Sequence, residues 1–229
     1  ISQLIITMMI CLFSIQTWAQ SGKLFNTDNQ LSSNLATQVF QDKSGFIWIA
    51  TRNGLNNYDG YHITIIKKDM SNFLGLNSNY INSIAQDEKE HILLGTNNSL
   101  LEFTGSEFLK IPMLDSKGKE LATYVKQIYP LRNKDVAVAT SGYGIMLKKQ
   151  DEQKCHAMKG EVEKLKYIHK LLEDKRGRLW IITEDGKLYR KETNGRVTSY
   201  FTGTEGVGAQ DIQQDALGNL YLASKNQGV

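Results

Sequence analysis

Asp42-Lys43-Ser44-Gly45-Phe46-Ile47-Trp48-Ile49-Ala50-Thr51-Arg52-Asn53-Gly54-Leu55-Asn56-Asn57-Tyr58-Asp59-Gly60 places turn signals on both sides of a short apolar run. Asp-x-x-Gly opens it: Asp bonds its own downstream backbone, and Gly accepts φ > 0. Residues 46–51 then read as a strand, and Arg52-Asn53-Gly54 as a turn into a second strand at 55–58. Asp59-Gly60 is a tight hairpin signal into a third strand at 61–67. With 35–41 upstream, four strands A to D follow one another through short turns.

The pattern recurs. Ile47-Trp48-Ile49-Ala50-Thr51, Ile92-Leu93-Leu94-Gly95-Thr96, Val136-Ala137-Val138-Ala139-Thr140, Leu179-Trp180-Ile181-Ile182-Thr183 and Leu220-Tyr221-Leu222-Ala223-Ser224 are apolar runs closed by Thr or Ser. Their starts lie 45, 44, 43 and 41 residues apart. Val39, Ile84, Ile128, Leu171 and Ile212 form a second column with the same spacings. Asp42, Asp87, Asp174 and Asp215 each stand five residues before an apolar run, and Gly45, Gly177 and Gly218 follow three of them. A period of 40–45 belongs to four-stranded propeller blades and to helical solenoids. Solenoid helices need amphipathic segments of about 10–12 residues. The one candidate, 161–172, is interrupted by the strand column at 167–172. The B strands are apolar at successive positions, as in sheets buried on both faces.

The fold expected is therefore all-β, a β-propeller of four-stranded blades at 35–69, 80–113, 124–158 and 167–202, with an incomplete fifth at 209–229. About four and a half blades are present, read as the N-terminal fragment of a larger, seven-bladed ring. Leu31-Ser32-Ser33-Asn34 echoes Leu76-Asn77-Ser78-Asn79 at an offset of 45, which puts 23–25 in the place of a closing D strand. The third repeat has Leu131-Arg132-Asn133-Lys134 instead of Asp-x-x-Gly and follows Pro130, so its A–B connection is expected to be altered. Trp48 and Trp180 share one column and are read as core between blades.

Residues 1–20 contain no Lys, Arg, Asp or Glu, and 4–15 are mostly apolar. Thr17-Trp18-Ala19 offers small residues at −3 and −1, so 1–19 reads as a signal peptide that lacks its basic start. A transmembrane anchor is the second reading, but a span needs about 20 apolar residues. Ile10 before Cys11 does not fit a lipid-attachment site. Removal of 1–19 leaves Cys155 alone, so residues 20–229 hold together by packing and hydrogen bonds without a disulfide. The mature chain is expected outside the cytoplasm.

The 229 residues are 41% hydrophobic and 22% charged, with formal net charge +3. Basic residues are at most paired (Lys67-Lys68, Lys148-Lys149, Lys175-Arg176), which argues against nucleic-acid contact. His62, His91, His156 and His169 fall at different places in their repeats, and no His-x-x-x-His or Glu-bearing zinc pattern occurs. No Gly-x-Ser-x-Gly and no phosphate-binding loop appears. The recurrent Asp residues read as turn formers rather than calcium ligands. The sequence thus nominates no catalytic residue, no metal site and no cofactor. A propeller lyase or glycosidase, which needs groups converging on one face, stays open as an alternative, and so does a protein-interaction scaffold.

The 42–60 stretch resembles the repeat of two-component regulator propellers, Asp-x-x-Gly-x-hydrophobic-Trp-hydrophobic-Gly-Thr-x-x-Gly-Leu-x-x-Tyr-Asp-Gly. The match is close in the first repeat, clear in the fourth, partial in the second and fifth, and weak in the third. The resemblance implies the periplasmic sensor region of a hybrid two-component receptor of Bacteroidetes type. It would have a second propeller, one membrane span and cytoplasmic histidine kinase, receiver and DNA-binding modules, and work as a homodimer. The implied input is an oligosaccharide from a polysaccharide, and the implied output is transcription. Loops carry function on repeat scaffolds. The B–C loops reach the same face as the D–A connections and vary from blade to blade, so the ligand-binding candidates are Arg52, Asn53, Asn97, Asn98, Tyr143, Glu184 and Asp185. Planar amides, an Arg and a Tyr suit hydroxyl-rich sugars.

Overall fold

The computed structural model describes residues 22, 24–68, 75–200, 208–225 and 228–229. The proposed signal peptide, and Lys23 of the proposed closing strand, lie outside them; Leu24 and Phe25 are not in a strand, and the Phe25 ring packs edge-on against Tyr58 at 5.1 Å.

Blade one is β1 (Ala36–Gln41), β2 (Ile47–Thr51), β3 (Gly54–Tyr58) and β4 (Ile63–Ile66). Blade two is β5 (Ile81–Gln86), β6 (Ile92–Thr96), β7 (Leu100–Phe103) and β8 (Phe108–Ile111). The connector to blade three forms a hairpin, β9 (Met113–Leu114) and β10 (Glu120–Leu121), before β11 (Val125–Pro130), β12 (Val136–Thr140), β13 (Gly144–Lys148) and β14 (Cys155–Ala157). Blade four is β15 (Ile168–Glu173), β16 (Leu179–Thr183), β17 (Leu188–Lys191) and β18 (Val197–Tyr200); β19 (Ala209–Gln214) and β20 (Leu220–Ser224) follow as a pair. Every blade is an antiparallel meander, and consecutive A strands lie side by side. Residues 161–164 form only a short 3-10 turn before β15, consistent with the strand reading of that segment.

Burial explains the apolar runs. β6, β12 and β16 are buried at all five positions, because each sheet is covered on both faces by its neighbours. Four apolar clusters fill these interfaces, one of them joining Trp48, Ala50 and Leu55 to Ile84, Leu94 and Leu101. Cys155 is buried in another such cluster, and burial pushes its thiol up to about 12. It is a packing residue.

Each A strand carries a bulge at its start: the register slips between Ala36 and Gln38, Ile81 and Ser83, Val125 and Gln127, Ile168 and Lys170, and Ala209 and Asp211. The residue after the bulge reaches the next blade. Gln38 donates to Ile84 O (2.8 Å) and accepts from Ile84 N (2.9 Å). Ser83 accepts from Ile128 N, Gln127 from Leu171 N, and Lys170 pairs with Asp211 at 3.7 Å. The Gln38, Ser83 and Gln127 ties satisfy backbone groups of the next blade.

The third blade departs from expectation in two ways. Its A–B connection is not altered: Leu131 N–H bonds Asp135 O and Lys134 N–H bonds Leu131 O, as Asp42 and Gly45 do in blade one. Lys134 takes the glycine's place at φ 73, as Glu90 does in blade two at φ 66. Asn133 replaces the missing Asp by accepting from Asp135 N–H. The irregularity sits at the outer edge instead, where β9 pairs in parallel with β14 and makes the sheet six-stranded. The β9–β10 turn is a further Asp-x-x-Gly, with Asp115 accepting from Lys117 and Lys119 N–H. An added hairpin covers an edge strand that would otherwise expose unpaired backbone.

Candidate functional site

The Thr or Ser closing each B strand shapes the B–C loop. Its hydroxyl donates to the carbonyl across the turn: Thr51 to Gly54, Thr96 to Ser99, Thr140 to Gly144, Thr183 to Lys187 and Ser224 to Gly228. The loops then pack beneath the D–A connections. Gly144 shows how closely: a Cβ there would stand 2.5 Å from the Leu165 carbonyl, and its N–H bonds Lys166 O. The first loop residue is anchored on the residue that leads into the A strand, Arg52 on Leu35, Ser141 on Tyr124 and Glu184 on Tyr167.

That anchoring brings a tyrosine column onto this face. Tyr80, Tyr124 and Tyr167 occupy one position in blades two, three and four. Tyr80 and Tyr124 meet edge to face at 6.0 Å, Arg52 lies over Tyr80 at 5.6 Å, and Lys126 over Tyr124 at 4.5 Å. Lys126 Nζ continues to Glu184 Oε1 at 3.3 Å. A second column comes from the bulges, which turn one extra side chain per A strand out of the alternation. It consists of Thr37, Asn82, Lys126, His169 and Gln210, all polar and all different. Asn82 Oδ1 accepts from Tyr124 OH at 2.7 Å, while Asn82 Nδ2 is buried without a hydrogen-bond partner. Burial pushes the Tyr124 phenol well above its ordinary range. Burial, with Lys170 and Lys126 nearby, holds the His169 imidazole below its usual value, so it stands as a neutral donor and acceptor.

Beside this row a cavity of about 460 Å³ is lined by Lys164, Lys166, Tyr167, Thr183, Glu184 and Asp185, among others. Of the nominated residues, Glu184 and Asp185 therefore share one hollow. Tyr143 lines a smaller one of about 120 Å³ that shares Lys166. Arg52 joins through the Tyr80–Tyr124–Lys126 chain. Asp185 is partly committed to its own turn: Lys187, then Thr183, hydrogen-bond it and hold its carboxyl below the usual range. Asn98 Oδ1 accepts from Thr96 Oγ1, and the Asn53 N–H bonds Thr51 Oγ1, so both serve their loops; Asn97 stands exposed. The loop-only nomination passed over Tyr80, Tyr124, Tyr167, Lys126 and His169. Their columns share the 44- and 43-residue spacings of the B strands, and that was the available signal.

Bulged A strands and meander blades define a repeat β-propeller that carries a mixed polar and aromatic rim over the strand ends. Residues 30–53, 75–98 and 164–185 match the two-component regulator propeller family, each segment running from a D–A connection to a B–C loop. The three matched segments, in blades one, two and four, are thus similar to two-component regulator propeller repeats. Comparison with curated proteins gives no match. Among solved structures, the extracellular domain of the hybrid two-component system BT3049 from B. thetaiotaomicron superposes with TM-score 0.77 at 21% identity, over 90% of this chain and 29% of that one. The corresponding domain of BT4673 from the same organism gives 0.71 at 17% identity, over 83% and 28%. Virginiamycin B lyase from Staphylococcus aureus gives 0.64 at 12% identity, over 82% and 62%. The chain spans less than a third of the two receptor domains. No helix among the described residues is long and apolar enough to cross a membrane.

Proposed function

We propose that this chain is ligand-reading propeller from the exported sensor region of a two-component receptor, and that its B–C face binds an oligosaccharide derived from a polysaccharide. The observation that carries the reading is the tyrosine column Tyr80, Tyr124 and Tyr167 interleaved with Arg52, Lys126 and Glu184, where blade chemistry diverges while blade cores repeat. Aromatic faces stack on the C–H faces of sugar rings, and charged and amide groups take their hydroxyls. The similarity to extracellular domains of hybrid two-component systems supports the location and the signalling role. Binding energy would reach a kinase only through a change in how this propeller packs on the rest of a longer receptor.

Calorimetry of the complete sensor region against a panel of plant, algal and host-type oligosaccharides tests this. A ligand class should appear whose affinity falls about tenfold or more in Tyr124→Ala and Glu184→Gln, on the scale of one lost stacking or charged hydrogen-bond contact. Turnover of a panel member, or binding indifferent to both substitutions, would remove the assignment.

A further inference from the structure

The A–B turn of blade two differs from its counterparts at one atom. In the other Asp-led A–B turns the second carboxylate oxygen is filled by the residue six positions on: Trp48 Nε1 at 2.8 Å from Asp42, Trp180 Nε1 at 2.9 Å from Asp174, and Tyr221 OH at 3.2 Å from Asp215. Leu93 stands there in blade two and has no donor. Asp87 Oδ1 still accepts from Lys89 and His91 N–H. Its Oδ2 has only His91 Nδ1 at 3.7 Å and Lys148 Nζ at 3.9 Å, both beyond hydrogen-bond distance. On β7, Glu102 is 4% exposed and brings Oε1 to 2.5 Å from His91 Nδ1, while that buried nitrogen makes no hydrogen bond of acceptable geometry. The ligand atoms of Asp87, His91 and Glu102 all lie within 4.8 Å of one another. Two buried carboxylates thus meet here, the buried Lys148 ammonium lies 3.9 Å from Asp87 Oδ2, and a second positive charge would offset Glu102.

We propose that Asp87, His91 and Glu102 form a divalent transition-metal site of the zinc type, completed by water. One imidazole nitrogen with two carboxylate oxygens suits Zn²⁺ at about 2.0–2.2 Å, whereas Ca²⁺ and Mg²⁺ favour all-oxygen shells. A single ion would satisfy the three atoms that the hydrogen bonds of this blade leave over. It would fasten the A–B turn to β7 and, through the Asp87–Lys148 pair, blade two to β13 of blade three. Lys148 competes with the ion for Asp87 and moderates its affinity. The site lies at the A–B end of the strands, away from the tyrosine rim, and does not depend on the oligosaccharide reading.

The test is Zn²⁺ titration of the chelator-stripped chain by calorimetry, with X-ray absorption of the loaded protein. One ion per chain is expected, in a shell of one imidazole and oxygen ligands. Glu102→Gln and His91→Gln should each weaken binding about 100-fold or more. His156→Ala, which removes the separate His156–Glu152 contact, should leave it unchanged, and Lys148→Met should tighten it. Failure to take up Zn²⁺, a shell without imidazole, or equal affinity in Glu102→Gln overturns the site. The absorption spectrum of the unmutated chain keeps the test decisive should a variant not fold.

Discussion

At the scale of single residues, the device that makes this repeat work is an aspartate that serves a turn and a strand at once. Asp174 accepts from Arg176 and Arg178 N–H with one oxygen and from Arg178 Nε and Trp180 Nε1 with the other. The tryptophan is therefore both a core residue, 6% exposed, and a donor that fixes the turn over its own strand. The sequence showed both columns, but not that they bond one another, because the link spans six residues and needs the hairpin's twist to close. Burial alone would raise the Asp174 carboxyl, yet the bonds from Trp180 and Arg178 outweigh it and hold the group below its ordinary 3.8. A depressed folded-state value contributes stability that is present above about 3.8 and lost as pH falls through the folded value. Asp174→Asn would point an amide at two donors. It should cost about 2–3 kcal/mol at pH 7, with the deficit shrinking below pH 3.8, as read from urea midpoints across that range. A deficit independent of pH would show that the charge is not what matters.

At the scale of elements, geometry outlives the residues that normally encode it. The blade-three A–B turn keeps the hydrogen bonds of an Asp-x-x-Gly turn although neither residue is present, because β11 and β12 must still meet in register on either side. Lys134 bears the strain of φ 73. Lys134→Gly should therefore stabilise the protein by about 0.5–1 kcal/mol, the left-handed penalty less the added chain entropy, seen as a higher denaturation midpoint at unchanged slope. Gly144→Ala should do the opposite and more strongly, costing about 2 kcal/mol or more, since it adds a backbone clash with Leu165 to a φ of 77. Local patterning revealed the strands because their burial on both faces is written in consecutive apolar residues. It did not reveal the β9–β10 hairpin, whose strands are two residues each and too short for any periodicity. Nor did it reveal the bulges, which change direction without changing composition. The polar column that they aim at the B–C face was consequently missed, although every member stands in plain repeat spacing.

At the scale of the whole molecule, stability in a repeat array is a sum of blade terms and nearest-neighbour joints. The joints here are chemically unequal. Blades one and two share the Gln38 amide, which both donates to and accepts from Ile84; blades two and three share the Ser83 hydroxyl, the Tyr124–Asn82 hydrogen bond and the buried Asp87–Lys148 pair; blades four and five share the Lys170–Asp211 ion pair. Period and blade count were legible from the sequence because they follow from recurrence alone. These joints were not, since they link residues 41 to 61 positions apart that follow no charge or size rule. Gln38→Ala isolates one joint. It leaves the N–H and C=O of Ile84, a residue 1% exposed, without their side-chain partner, and should cost about 1–3 kcal/mol. Because the loss enters at one interface, amide hydrogen exchange should speed up in β1 and β5, less in β11, and stay unchanged in β15 and β16. Uniform acceleration through β16 would mean that the blades open as one cooperative unit, and the nearest-neighbour description would have to be abandoned for this chain.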